Sequence, residues 1–465
     1  MSDQNPNVSE PAEQSTVSRR QFLKMAGIAG ATVAVAGGMG GALAACGKGT
    51  TTSTAATTPA TTPATTATTA AAVTDTTAAA ATDTTAAAAT TKEATIKIGN
   101  LTDFGVPPLV NTRKVLEAVV EGYNAAGGIK AGDTAYKIEL ISYDTKSDPN
   151  TARSAVERLI SQDKATVIFG DQTASNWASQ TEAAKVLACV GTPLKDVYKP
   201  EYKYTFVTSK LPTEAPVRLG WLPTYKGSSI SKYVLIFPDD PPGQNQMKDV
   251  VATLTALGQK FESVTFTAST TDFSAVATKA LSINGDCVII GGSPVMFGQM
   301  YRALSAAGSK AFVTITAEVS LGELNTTIPL TELDGTIVGL MSWDTETPNP
   351  VCKEVVDMYT KKYGKWDDPS FDIDTFYTFK AALQKAGSAD TTAMAEALGT
   401  GLAFDGPHGA SKMIPRADAG VADRTVCLIQ EYADCTLMGG KATNFKSVSL
   451  ADSEKLALTC WGAAK

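Results

Sequence analysis

From Ala94 onward, short apolar runs rich in β-branched residues alternate with stretches of helical period, and this alternation narrows the possible folds more than any other feature. The runs are TIKIGNL from Thr95, YKIELISYD from Tyr136, ATVIFG from Ala165, YVLIFPDD from Tyr233, DCVIIGG from Asp286 and AFVTITAE from Ala311. Several are continuously apolar, the pattern of strands buried on both faces of a parallel sheet. Between them, Asn111 to Ala125 places Val115, Leu116, Val119, Val120 and Tyr123 on one side of a helix. Arg113, Lys114, Glu117 and Glu121 fall mostly on the other, and Ala-Ala-Gly-Gly supplies the stop. Repeated strand and helix implies doubly wound α/β sheets, whose ligands bind beyond the carboxyl ends of the strands. About 370 residues exceed what one core organises, so two domains are expected.

The first 45 residues read as an address. Ser18-Arg19-Arg20-Gln21-Phe22-Leu23-Lys24 matches the twin-arginine export pattern, and an uncharged run follows from Met25 to Ala45. A membrane span needs about 20 apolar residues; the six glycines in this run make a poor span and a good weakly hydrophobic signal. Leu43-Ala44-Ala45-Cys46 resembles the bacterial lipoprotein box, which implies a mature chain that begins at Cys46 with its thiol carrying diacylglycerol. More than one acyl chain gives a stable anchor. Residues 46–93 are almost all Ala and Thr, with TDTTAAAA at Thr74 and again at Thr82, and cannot bury a core. They read as a disordered tether of roughly 40 Å, a candidate for O-glycosylation.

The net charge of -7 removes nucleic acid as a partner, since no basic patch is available to neutralise phosphates. With Cys46 assigned to lipid, Cys189, Cys287, Cys352, Cys427, Cys435 and Cys460 remain. An exported chain permits disulfides. Cys189 and Cys287 sit in or beside apolar runs and read as buried thiols, whereas Cys427 and Cys435 flank LIQEYAD as if across a hairpin and are the favoured pair. No Cys-x-x-Cys exists, and His408 is the single histidine, so no metal and no cofactor are expected.

Catalytic signatures are missing. There is no Gly-x-Ser-x-Gly elbow, no His-Glu-x-x-His and no phosphate-cradling loop. His408 lies in the turn-rich FDGPHGA and reads as an exposed turn residue. Asp367, Asp368, Asp372 and Asp374 lack the spacing of a calcium loop and read as the polar start of a helix from Thr375 to Ala386. Carboxylate pairs of the glycosidase kind are set by spatial separation and stay open.

Seven stretches then fall into a shared order: IKIGNLTDFG, VEGYNAAGGI, YKIELISYDTKSDPNTARSAVERLI, VIFGDQTAS, TTDFSAVATKALSINGDCVIIGG, MYRALSAAG and AFDGPHGASKMIPRADAG. In order and spacing the chain resembles the type I periplasmic binding proteins, in the leucine/isoleucine/valine-binding branch of ABC transporter components. The resemblance implies two Rossmann-like lobes, each three-layer α/β/α, joined by a three-crossover hinge. Lobe one would hold 94–212 and 343–420, and lobe two 213–342 and 421–465. It also implies a cleft between them. Lobe one would contribute Asp103, Phe104 and Gly105, then Gln172, Thr173, Ala174 and Ser175, then Gly191 and Thr192. Lobe two would contribute Pro242, Ser293 and Glu318, the last matching the carboxylate that holds a ligand ammonium. Thr173 falls on the hydroxyl that binds a ligand carboxylate, although it also suits a helix cap, and Phe104 also suits the core. The family's aromatic after the first lobe-two strand and its tyrosine after Gly-Gly are replaced here by Pro242 or its neighbour and by Ser293. That change leaves an amino acid, an amide or an aromatic acid open as the ligand.

The implied function is a lipid-anchored, monomeric receptor, not an enzyme, that captures a small organic solute by hinge closure and hands it to an ABC permease in the membrane. A sensing receptor with a signalling partner is the alternative, and an exported hydrolase a more distant one; no apolar span follows the lobes, which favours transport. If export is by the twin-arginine route, changing Arg19 and Arg20 to Lys leaves the chain in the cytoplasm, as fractionation and immunoblotting would show. Continued export would assign the leader to the general secretory route.

Overall fold

The computed structural model describes residues 91–227, 229–315, 319–339, 349–366 and 373–462. The leader, Cys46, the tether as far as residue 90 and Glu318 lie outside these residues, as do Asp367, Asp368 and Asp372. Lys92 and Glu93, expected in the tether, instead pair with Thr134 and Ala135 as the start of the first strand.

The first sheet begins with β1 (Lys92–Thr102), β2 (Ile129–Ala131), β3 (Thr134–Asp144), β4 (Val167–Gly170), β5 (Leu187–Val190) and β6 (Thr205–Val207). It is completed late in the chain by β12 (Ala403–Gly406), β13 (Gly409–Ile414) and β14 (Cys427–Gln430). The nine strands run in the order β12-β13-β14-β6-β5-β4-β1-β3-β2. Pairing is parallel from β3 through β1, β4, β5 and β6 to β14, with antiparallel strands only at the margins. The second sheet holds β7 (Tyr233–Pro238), β8 (Phe261–Phe266), β9 (Cys287–Ile290), β10 (Phe312–Ile315), β11 (Ile337–Gly339), β15 (Tyr432–Met438) and β16 (Lys441–Val448), in the order β16-β15-β11-β10-β9-β7-β8. Each run quoted from the sequence falls on one of the parallel strands. The reason is burial on both faces: Tyr233 to Pro238 and Cys287 to Ile290 are buried without interruption.

Helices cover both faces of both sheets. On one face of the first sheet lie α1 (Pro107–Ala125), α9 (Pro350–Tyr363), α10 (Asp374–Ala386) and α11 (Thr391–Gly399). Their Val119, Val355, Phe379 and Leu398 share a core with Ile98 and Phe169. The opposite face takes α2 (Pro149–Arg158), α3 (Ala178–Ala184) and α12 (Leu450–Cys460), with Val156, Ala178 and Ala457 in a second core beside Ile168 and Ala188. The second sheet is flanked by α6 (Ser274–Ile283), α7 (Pro294–Ala306) and α8 (Leu321–Thr327) on one side. On the other are α4 (Leu211–Lys226) and α5 (Pro241–Ala256). Helix α1 starts four residues earlier than its apolar periodicity indicates, because Pro107 and Pro108 fit the first turn, where no backbone donor is needed.

From strand to strand the chain passes between the sheets three times: between β6 and β7 through α4, between β11 and β12 by way of α9, and between β14 and β15. After β16 it returns once more, and α12, expected in lobe two, packs on β13 and β14 of the first sheet. The third passage corrects the expected boundary at residue 420. β14 pairs with β6 and β13 in the first sheet, so that sheet extends to Gln430, and Glu431 alone separates it from β15 in the second. The same topology removes the expected hairpin disulfide. Cys427 and Cys435 lie on different sheets as buried thiols that are not disulfide-bonded to one another, Cys427 bonded to the Leu428 carbonyl and Cys435 to that of Val338. Cys189 in β5 and Cys287 in β9 are fully buried, as their apolar neighbours imply.

Buried polar side chains fasten the passages. Arg218 of α4 donates from Nε to Asp434 Oδ1 of β15 at 3.0 Å, both residues being buried. A guanidinium and a carboxylate withdrawn from water together need this pairing, since breaking one such partner costs about 3–5 kcal/mol. Close by, Thr213 and Tyr432 share a hydroxyl contact of 2.7 Å, and Tyr432 donates to the Lys210 carbonyl at 3.1 Å.

Candidate functional site

Parallel strands send their carboxyl ends to one edge, so the loops after β1, β4 and β5 lie side by side, and the predicted lobe-one residues sit in them. The loop after β1 is held by carboxylates. Asp103 accepts from Gly105 N at 2.7 Å and from the Ser147 hydroxyl at 2.7 Å, while Asp144 accepts from Phe104 N at 3.1 Å and Lys146 N at 3.0 Å. Asp103 is therefore turned into its own loop. Phe104 is 39% exposed, which removes it from the core, and the Arg113 guanidinium lies 4.5 Å from its ring centre.

After β4, Thr173 stands at the N-cap position of a short 3-10 turn (Ala174–Asn176), but its side chain makes no cap bond. Its hydroxyl donates to Asp171 Oδ1 at 2.6 Å and accepts from the buried Trp177 Nε1 at 3.2 Å. Its N–H reaches the same Asp171 oxygen at 2.9 Å, and Thr145 donates to the other at 3.1 Å. The Trp177 ring lies so close that a Cβ on Gly170 would fall 2.3 Å from it, which is why the strand ends in glycine. Gln172 is exposed, Ser175 half-buried and Ala174 buried. After β5, Gly191 N donates to the Gly170 carbonyl at 2.8 Å, and the buried Thr192 hydroxyl accepts from Leu194 N at 3.1 Å. The expected residues thus share one edge, but the side chains of Asp103, Thr173 and Thr192 brace the loops from within.

On the second lobe, Asp240 and Ser293 cap helices α5 and α7, accepting from Gly243 N at 2.9 Å and Met296 N at 3.4 Å. Such caps leave first-turn N–H groups and the positive end of each helix facing the edge, which favours an electron-rich ligand. Pro242 lies in the first turn of α5 and its side chain is outside the described residues, as is Glu318 between β10 and α8. Ser320 caps α8 through Glu323 N at 3.2 Å.

The structure also assembles a cluster that no motif announces. Lys210, just beyond β6, has its Nζ 3.0 Å from His408 Nε2, and His408 Nδ1 is 3.2 Å from Asp374 Oδ1. His408 is thereby corrected: its side chain is only 9% exposed, drawn under the β12–β13 turn by two charged neighbours. Both contacts are met by one tautomer, an imidazole donating from Nδ1 to Asp374 Oδ1 and accepting at Nε2 from the ammonium. Burial acts to raise the Asp374 carboxyl, but His408 and Lys210 outweigh it and hold it below the ordinary range. Neighbouring Ser209 is fully buried, and a Cβ placed on Gly191 would lie 3.6 Å from its hydroxyl, so the cluster adjoins the predicted loop edge. The one sequence cue was the isolated histidine.

Among the described residues, no group of three or more His, Cys, Asp or Glu side chains is placed to hold a metal. Burial pushes the Cys427 thiol up to about 11, far from a reactive thiolate. A cavity of about 450 Å³ beside Val234, Asn284, Ser309 and Lys310 lies at the opposite ends of the second-sheet strands, away from this edge.

Two α/β lobes, each with braced loops and helix starts gathered beyond its strand tips, and with Asn111 of one bonded to Glu323 of the other at 3.0 Å, make a protein of the two-lobed binding class. The sequence profile of the periplasmic binding protein family matches residues 95–431, and the chain belongs to that family. A profile of the twin-arginine translocation pathway signal sequence matches residues 16–36. Solved structures share the fold. A leucine-binding protein of Thermotoga maritima is 20% identical with a TM-score of 0.58, over 77% of this chain and 99% of the other. A branched-chain amino acid transporter substrate-binding protein of Streptococcus pneumoniae, in complex with isoleucine, is 18% identical with a TM-score of 0.58, over 76% and 99%. An ABC transporter solute-binding protein of Rhodopseudomonas palustris, in complex with p-hydroxybenzoic acid, is 18% identical with a TM-score of 0.58, over 77% and 98%.

The bracing role of Thr173 predicts that Thr173→Val, which strands the buried Trp177 N–H, lowers stability by about 1–3 kcal/mol, while Thr173→Ser is nearly neutral. Urea denaturation midpoints of the two variants test this; equal midpoints would remove the role.

Proposed function

We propose that this protein is the extracytoplasmic solute-binding component of an ABC importer, tethered through lipid on Cys46 and the Ala/Thr-rich stalk that leads from it to β1. The observation that supports the reading is the pair of parallel-rich sheets, each with its loops gathered at one edge, joined by passages of the chain and by the bond from Asn111 to Glu323. A solute touching both edges stabilises the closed arrangement, and no bond-making chemistry is required. The match to the twin-arginine signal supports delivery outside the cytoplasm in folded form.

The ligand is a small organic carboxylate. Lobe one meets it with the exposed Phe104, the Gly105 and Gly191 backbone, and the loop of Gln172, Thr173, Ala174 and Ser175. Thr192 and Asp103 act from behind, fixing those loops. Because the Thr173 hydroxyl already gives its proton to Asp171, it serves the ligand through a lone pair, and loop N–H groups take the carboxylate. Lobe two adds the α5 start at Pro242, the α7 start at Ser293, and Glu318 for a ligand ammonium. Two ligand types are carried by the solved relatives, a branched-chain amino acid and a hydroxybenzoate, and the open face of Phe104 suits an aromatic ring as well as an aliphatic one.

A thermal-shift screen of branched-chain amino acids, amides, benzoates and sugars decides between them. A compound at a thousand times its dissociation constant adds about 4 kcal/mol of stability. Glu318→Gln then weakens an amino acid sharply and leaves a benzoate unchanged, by calorimetry; no hit among the carboxylates would sink the ligand class. For the anchor, Cys46→Ser moves the exported protein from the membrane to the soluble fraction, and retention on the membrane would count against lipidation.

A further inference from the structure

Asn111 and Glu323 stand on different lobes. Asn111 lies one turn into α1, the helix that follows the β1 loop, and Glu323 lies in the first turn of α8, the helix that follows β10. Asn111 Nδ2 donates to Glu323 Oε1 at 3.0 Å across 212 residues of sequence, and both residues are half-buried. Neither belongs to a passage between the sheets. The Thr213, Tyr432 and Lys210 contacts, by contrast, lie at those passages. The amide-to-carboxylate bond instead joins two helix starts at the edge where the loops meet. Its acceptor is held in place by the cap that Ser320 makes to Glu323 N.

We propose that Asn111 and Glu323 form a closure latch, a pair of positioning residues that sets the affinity of the cleft by favouring the closed lobes before ligand arrives. A bond available only in the closed form shifts the equilibrium toward it, and a ligand that selects that form gains affinity by the same factor. The bond is charge-assisted and sits out of full solvent, so its loss changes the equilibrium appreciably. The ligand-affinity consequence rests on the proposed function; the latch itself does not.

Hydrogen exchange read by mass spectrometry on the full unliganded chain tests the latch alone. Asn111→Ala speeds exchange in the loops at 103–106 and 171–175 about fivefold, the change expected when one such bond is lost, and leaves β1 and β9 protected. Asn111→Asp, which faces two carboxylates, opens the loops further. Combining Asn111→Asp with Glu323→Gln restores a donor and an acceptor in reversed order and returns exchange to the wild-type rate. Unchanged loop exchange in both single variants, or a double variant that exchanges like Asn111→Asp, overturns the latch. In the second arm, the best binder from the thermal screen loses about fivefold in affinity on Asn111→Ala. A screen with no binder fails the proposed function, and the exchange rates then still decide the latch.

Discussion

A parallel ladder cannot be closed by a tight turn, so each strand from β3 across to β14, and from β8 across to β11, must return through a crossover on one face of its sheet. Two results follow from that constraint. Both faces of each sheet are covered by helix, which explains the uninterrupted apolar runs. All the loops that leave the strand tips gather at one edge of each lobe, which leaves that edge as the place where short polar segments can meet a ligand.

The parallel strands could be read from sequence because double burial leaves so plain a mark, as in Tyr233 to Pro238. The short late strands could not. Between Cys427 and Met438 the apolar residues continue with no glycine or proline to announce that the chain has changed sheets, so the lobe boundary fell ten residues early and the two cysteines looked like neighbours in a hairpin. The candidate site shows the same division. Its loops were legible from their positions after strands, whereas the direction of each side chain was not. Thr173 turns inward because its hydroxyl donates to Asp171, two residues back, and accepts from Trp177, four residues on. Lys210, Asp374 and His408 come from three separate segments, and only the fold brings them together.

Electrostatics divides the molecule into fixed and adjustable parts. Asp103, Asp144 and Asp171 are each satisfied by backbone N–H or hydroxyl groups of the loops they brace, so these loops resist rearrangement. Arg218 and Asp434 do the same for the passages, with two desolvated charges that tolerate little separation. The bond between Asn111 and Glu323 differs in kind, since it is half-buried and links elements that no strand ladder ties together.

The single residue between β14 and β15 limits how the lobes move. Glu431 is flanked by strands clamped into different sheets, and its own N–H is bonded to the Ala410 carbonyl at 3.0 Å. Two Cα steps span less than roughly 8 Å, so at this point the sheets can pivot but cannot draw apart. Distance from the pivot then sets travel. The β1 tip is four strand positions from β14, roughly 19 Å away, while the Lys210 segment leaves β6, the strand beside β14. Any opening therefore acts as a lever. The tips of β1 and β3, with the Phe104 loop, lie far out on that lever, while Ser209 and Lys210, leaving the strand beside β14, lie close to its pivot.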